Sequence, residues 1–346
     1  MSERVKMYSP DFENLKNVLL CRDKKFVPLI ELHIDEGFKE KYLSRKLLSL
    51  EDELKFSLEH CHDFILAAKG ILKPAKTIGN QTEKDGMTWA DEDDGLIRTI
   101  NDLENYDWMD PGKEDYSVFE DAKKILPQNM KIIATGGKIF TATWMLMSFN
   151  NFCISTIENP GLVEKVFSKV GQIQFEVFNK IMEFETVGAF AAVDDIAYTE
   201  GLMISSDILR KNVFPWYKKM GQICKKKNIP FIYHSDGRIW EIIDDLLDCG
   251  FNAIHPIEPK AMSIKEVQEK YKDRLCLLGN IEMDTLIRGS SKDVEKLVLN
   301  NLENIAGNGF YACGSSNTIT TPMPVENVMA MVDTVRKHGG YPISIK

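Results

Sequence analysis

Strand-type runs and helical stripes take turns through the C-terminal half of the chain, and this alternation restricts the fold more than any other feature. Short β-branched or aromatic runs at Pro230 to His234, Asn252 to Pro256, Arg274 to Gly279 and Gly309 to Gly314 are each bounded by turn residues. Between them lie segments of helical period. Trp240, Ile242, Ile243, Leu246 and Leu247 share one face of a stretch ending at Gly250, a C′ glycine. Val294, Leu297, Val298, Leu302 and Ile305 form a second stripe that ends near Gly307. Strands joined through helices run parallel, because the helix is the crossover that carries the chain back to the starting edge.

Four runs upstream, Phe26 to His33, Asp63 to Ala68, Met130 to Thr135 and Val187 to Asp194, bring the candidate strands to eight. The second is the most ambiguous, since Phe64 to Leu72 could equally end a helix. With this many parallel strands a closed barrel is the simplest solution. The expected architecture is therefore α/β, a single (β/α)8 TIM barrel over residues 1–346, with an N-terminal extension (1–25) and a long insertion after the second strand (69–128). That insertion is rich in charge and turns, with Asp91-Glu92-Asp93-Asp94 and Asp107 to Lys113, yet it contains Trp89 and Trp108. It reads either as a solvated acidic loop or as an excursion that helps close the barrel mouth.

Charge narrows the partners. The balance of 52 acidic against 43 basic residues, a net charge of -9, argues against nucleic acid and anionic lipid and leaves a small molecule or another protein. No stretch approaches the roughly 20 apolar residues of a membrane span, and Met1 to Pro10 lacks the apolar core of a signal peptide. Seven scattered cysteines form no CxxC pair and no disulfide framework, so the expected compartment is the cytoplasm.

Barrel enzymes keep their chemistry at the C-terminal ends of the strands, and here those ends are polar. His234 and Asp236, in His234-Ser235-Asp236-Gly237, lie two apart, so in an extended segment both side chains can project to one side. They could share a metal, or the aspartate could orient the imidazole; the bland alternative is a pair satisfied by backbone at a strand end. Asp194 and Asp195 are adjacent and face opposite ways, so one at most points into the mouth. Glu258 is held between Pro256 and Pro259, a rigid setting for acid/base work or simply an exposed turn. Glu31 follows an apolar run, where a carboxylate is costly unless paired or functional, and His33 lies two residues on. Asn280 and Ser315 to Asn317 complete the set of polar strand ends. Cys313 either supplies a thiolate to a metal held by His234 and Asp236 or is a small buried hydrophobe. Gly314 to Asn317 could instead present N–H groups to an anion. Gly136-Gly137 permits close ligand approach, whereas GxGxxG and GxxxxGK[ST] are absent, so nicotinamide and nucleoside-triphosphate chemistry lack motif support.

Several of these segments together resemble the uroporphyrinogen decarboxylase superfamily over most of the chain. The carriers are Val27-Pro-Leu-Ile-Glu31, Asp194-Asp-Ile-Ala197, the HSDG segment, Asn252 to Pro259, Leu278-Gly-Asn-Ile281, and Gly314 to Asn317 with Pro324-Val-Glu-Asn-Val328. The resemblance implies a single (β/α)8 barrel with its cleft at the carboxyl ends of the strands. True decarboxylases of the family carry an arginine-rich RQAGRYLP stretch after the first strand. This chain has Glu31-Leu-His-Ile-Asp-Glu-Gly37 there, which would repel a polyanion. The other branch, corrinoid-dependent methyltransferases, uses zinc held by His-x-Cys and a later cysteine. His234 matches that histidine, but Asp236 occupies the first cysteine position. For the later cysteine, an ungapped match gives Asn317, while Cys313 needs a shift of four residues.

The resemblance thus implies a methyltransferase that moves a methyl group between a small methylated or methoxylated substrate and a corrinoid on a partner protein, within a demethylase system. Zinc is its implied ion, with His234, Asp236 and Cys313 as ligands. Glu31, Asp195, His234 and Glu258 are its implied catalytic set, and His33, Asp194, Asn280, Ser316 and Asn317 the groups that bind substrate. The runner-up is a decarboxylase of a small carboxylated substrate, and a barrel that only binds a small molecule is a third reading.

Overall fold

The computed structural model describes residues 8–69 and 95–345, with the backbone of 83–84 and 87–88. Its centre is a curled sheet of seven strands: β1 (Phe64–Ala68), β2 (Lys131–Gly136), β3 (Val187–Val193), β4 (Phe231–His234), β5 (Ala253–His255), β6 (Cys276–Ile281) and β7 (Tyr311–Ser315). Neighbours in space are neighbours in sequence, and every pairing is parallel. The expected run Asp63 to Ala68 is thus a strand and not the end of a helix. The expected strand Phe26 to His33 is different. It forms no ladder strand, but Leu29 bridges Cys313 in parallel, with the Cys313 N–H donating to Pro28 O at 2.8 Å and the Ile30 N–H to Cys313 O at 2.9 Å. Pro28 has no N–H to donate, which interrupts a regular ladder at this segment.

Alternation along the strands sorts the side chains into two layers. Ile133, Ala189, Ala191, Ile232, Ala253, Leu278 and Ala312 pack together inside the curl with Ile30 and Leu32. Their neighbours Ile132, Phe190, Phe231, Tyr233, Ile254 and Cys313 belong to the outer layer, against the helices. Four alanines among the inner residues, Ala189, Ala191, Ala253 and Ala312, leave room for the sheet to curl. The floor of the inner layer is filled by the helix Phe12–Leu19, whose Phe12, Leu15, Val18 and Leu19 pack onto it. This helix therefore acts as a plug, capped by the Asp11 carboxylate accepting the Asn14 N–H at 3.0 Å.

The 3.6-residue stripes become helices on the outside. Ile243–Cys249 ends at Gly250 with φ 96°, and Ser291–Asn301 runs into a short π-helical turn, Leu302–Ala306. Within the expected insertion, Trp89 and Asp91 to Asp94 lie outside the described residues. Its second half contains the helix Ser117–Ile125, whose buried Phe119 and Ala122 make it the packed crossover between β1 and β2. Asp107 to Lys113 is the turn before it, with Trp108 donating to Leu103 O at 3.1 Å. No helix among the described residues is long and apolar enough to cross a membrane.

Candidate active site

The register of the central strands aligns Val193 with His234 and His234 with His255, so three strand ends finish at one level. Val193 and Ile232 face inward, and counting on by two carries the inward face to Asp195, His234 and Asp236. These three offer ligand atoms that all lie within 4.8 Å of one another. They border a cleft of about 400 Å³ over the carboxyl ends of the strands, with Leu32, His33, Ala68, Thr135, Gly136, Lys138, Val193, Asn317 and Thr318 on its walls.

Each member of the cluster is held. The Asp236 N–H donates to Asp195 Oδ1 at 3.0 Å. The Asn317 amide donates to Asp236 Oδ1 and Oδ2 at 2.8 and 2.7 Å, and Thr318 Oγ1 donates to Asn317 Oδ1 at 2.9 Å. Ser235 is buried and accepts the Ile196 N–H at 3.0 Å, tying the turn to the segment after β3. Gly237, at φ +79°, presses on the same segment, since a Cβ there would lie 2.5 Å from Tyr198 O. Only glycine fits that approach. Burial, and then the neighbouring Asp195 charge, raises the Asp236 carboxyl to about 6, against the lowering effect of the Asn317 hydrogen bond.

His234 stacks beside His255, with the two Nδ1 atoms 2.8 Å apart. Burial pushes both imidazoles below their ordinary range, His255 far below it, so both are neutral near pH 7. Two neutral rings joined this way share a single Nδ1 hydrogen. When His234 donates, its Nε2 lone pair is free to bind a ligand. When it accepts, Nε2–H points toward Asp195 Oδ1, 3.6 Å away. His255 Nε2 is buried without a partner, so His255 spends its one hydrogen bond on His234.

One imidazole nitrogen and two carboxylate oxygens fit a divalent ion of borderline to hard character, zinc included, and three protein ligands leave positions open. The composition of the set differs from the expected one. Cys313 sits in the outer layer on β7 and is not part of the cluster, because its neighbours Ala312 and Gly314 take the inward positions. Burial pushes its thiol up to about 12, far from a thiolate. Asp195 stands where a third ligand is needed.

Other expected site residues fall below the cleft. Asp194 is fully buried and accepts the N–H groups of Ile139, Phe140 and Thr141 at 2.9, 2.7 and 2.7 Å and the Tyr217 hydroxyl at 2.6 Å. It anchors the start of the helix Phe140–Met147, where a carboxylate meets the positive end of the dipole. Glu31 accepts the Ser315 N–H and hydroxyl, each at 2.7 Å, and burial raises it to about 8. It fastens the Pro28 segment to β7 rather than facing the cleft. Asn280 donates to Ile257 O at 2.9 Å and accepts from Asn301 at 3.0 Å, which occupies both ends of its amide. Glu258 accepts the Gly237 N–H at 3.2 Å and, with Ser316 and Asn317, borders a side recess of about 120 Å³. His33 is on the cleft wall, 3.6 Å from Asp35.

Sequence reasoning missed His255 and Lys138. The register signal for His255 was present, since two neighbouring parallel strands both end in histidine. Lys138 follows the noted Gly136-Gly137 pair, but nothing local marks it.

Among solved structures the chain is similar to a methyltransferase from Methanosarcina mazei, at 17% identity and a TM-score of 0.70, over 94% of this chain and 97% of that one. Looser likenesses are to a sugar phosphate isomerase/epimerase from Parabacteroides distasonis (12% identity, TM-score 0.41, 92% and 99% covered) and a β-mannanase from Mytilus edulis (11%, 0.44, 90% and 92%). At 17% identity the likeness to the methyltransferase is one of fold. No curated protein matches the chain. The family model for uroporphyrinogen decarboxylase (URO-D) matches residues 61–338, a span that runs from the turn before β1 to the last helix and includes every residue of the Asp195, His234 and Asp236 cluster. The chain belongs to the uroporphyrinogen decarboxylase family.

Proposed function

We propose that this protein is a methyltransferase that moves a methyl group between a small methylated or methoxylated substrate and a corrinoid carried by a partner protein, as the substrate-side component of a demethylase system. The observation that carries the reading is the grouping of Asp195, His234 and Asp236 at the floor of an open cleft. Its support also includes the likeness to a protein described as a methyltransferase. His234 and the two carboxylates would hold a divalent ion, zinc being the first choice for such donors. Bound there, the ion supplies Lewis acidity toward an ether or alcohol oxygen.

The other residues work around that centre. His255 fixes the hydrogen on His234, and Asn317 fixes the plane of Asp236. Asp195, oriented by the Asp236 N–H that donates to its Oδ1, turns an exposed carboxylate to the cleft as the third ligand. Glu258, Ser316 and His33 border the space in which the substrate is oriented. We take the Val27 to Leu29 segment as the eighth stave of a (β/α)8 barrel within one domain, and the cytoplasm as the compartment, in keeping with free cysteines throughout.

The test is conversion of cob(I)alamin to methylcobalamin by the protein with a corrinoid partner and a panel of methyl ethers, paired with elemental analysis before and after His234→Ala. Stoichiometric zinc lost in the variant and methylcobalamin formed only by the wild type are expected. Absence of metal after zinc is supplied, or release of carbon dioxide from uroporphyrinogen, would overturn the reading.

A further inference from the structure

Lys138 is the one lysine or arginine on the cleft wall among the described residues, and it has no ion pair there. Two other lysines withdrawn from solvent, Lys39 and Lys24, are engaged. Lys39 pairs with Glu53 at 2.7 Å, and Lys24 donates to Ala306 O and Gly309 O at 3.2 and 2.8 Å. Asp195 and Asp236 share its cleft, yet neither comes within ion-pair distance of it.

The backbone that carries Lys138 is fixed on both sides. The Gly137 N–H donates to the Gln174 side chain at 3.1 Å, and Gly137 O accepts the Tyr217 hydroxyl at 3.0 Å. The next three N–H groups, from Ile139 to Thr141, all point to Asp194. Only the lysine side chain remains uncommitted. An ammonium partly withdrawn from water loses hydration that an anion can replace with a charge-assisted hydrogen bond.

Leu32, Ala68 and Val193 give the cleft apolar wall between these polar groups, and about 400 Å³ lies at the small end of ligand pockets, which span about 300–1,000 Å³. We infer that the cleft selects a small substrate bearing a carboxylate, which Lys138 binds while the hydrocarbon body lies on Leu32, Ala68 and Val193. The assignment rests on the methyltransferase reading only for the direction of the substrate, its methyl-bearing end toward His234. The carboxylate is a binding handle and is not lost in the reaction.

Calorimetric titration of the full-length protein, without corrinoid, tests the inference. The probes are benzoate, 3-methoxybenzoate and 3-methoxypropanoate, each beside its uncharged amide. Wild type is expected to bind at least one carboxylate about tenfold or more tightly than its amide. Lys138→Met removes that preference and leaves amide binding unchanged, while Lys138→Arg keeps most of it; thermal melting verifies that both variants fold. No preference in the wild type for any carboxylate, or a preference that survives in Lys138→Met, would overturn the inference. Lys138-dependent carboxylate binding with no methyl transfer would instead sink the methyltransferase reading and leave this one standing.

Discussion

Asp194 and Asp195 are consecutive residues at the end of one strand, and they do opposite work. Asp194 faces the outer layer, is wholly buried, and spends its carboxylate on three backbone N–H groups and a tyrosine. Asp195 faces the inner layer, keeps 42% of its side chain exposed, and borders the cleft. The same division separates Glu31 and Cys313 below the cleft from His234 and Asp236 within it. A polar strand end is thus two kinds of signal. One kind holds the loops that build the mouth, and the other is left open to do chemistry; the pleat decides which.

The sharpest way to break this division is Asp194→Ala. It leaves three N–H groups buried without their acceptor, each worth about 1–3 kcal/mol, while the Tyr217 hydroxyl keeps Gly137 O as an acceptor. We expect a loss of about 3–5 kcal/mol in urea unfolding, and a loss below about 1 kcal/mol would place Asp194 outside the structural class. Asp195→Ala should do the reverse. Its stability should stay within about 1 kcal/mol of wild type, as for an exposed group, while methylcobalamin formation falls about 100-fold or more. Equal unfolding losses in the two variants would erase the contrast.

Asn317→Ala probes the layer that supports the cluster. Freed of its two donors, Asp236 should hold zinc about tenfold more weakly, read by competition with a chromogenic chelator. An unchanged affinity would remove Asn317 from that role. A pH-dependent effect concerns Glu31, which keeps its proton up to about pH 8 in the folded chain against 4.5 as its ordinary value. The folded state therefore holds the extra proton between those values, and its contribution to stability falls as pH rises through them. Glu31→Gln has no proton to lose. It should match wild type within about 1 kcal/mol at pH 5 and gain on it toward pH 8 in a series of melting curves; parallel curves would contradict the burial of a neutral acid.

Much of the frame was readable from local pattern. Seven of the expected runs became ladder strands, because β-branched and aromatic runs between turn signals have few other ways to bury themselves. The segment Phe26 to His33 was located but not its irregular pairing, since that depends on where Cys313 arrives from the far end of the chain. Within the site, His234 and Asp236 could be paired by their spacing alone. The third member could not, because choosing Asp195 over Cys313 requires knowing which face of two distant strands turns inward.

The sequence by itself determined an acidic α/β chain with parallel strands, polar strand ends, and a histidine and an aspartate spaced two apart at one of them. Those properties follow from period, composition and spacing, which act over a few residues. Only the tertiary structure decided which carboxylates are fastened below the cleft, that His255 stands behind His234, and that Lys138 faces the cleft without a partner. Each of those depends on register and curl between strands far apart in the chain, and register is fixed by packing across the whole sheet rather than by any one segment.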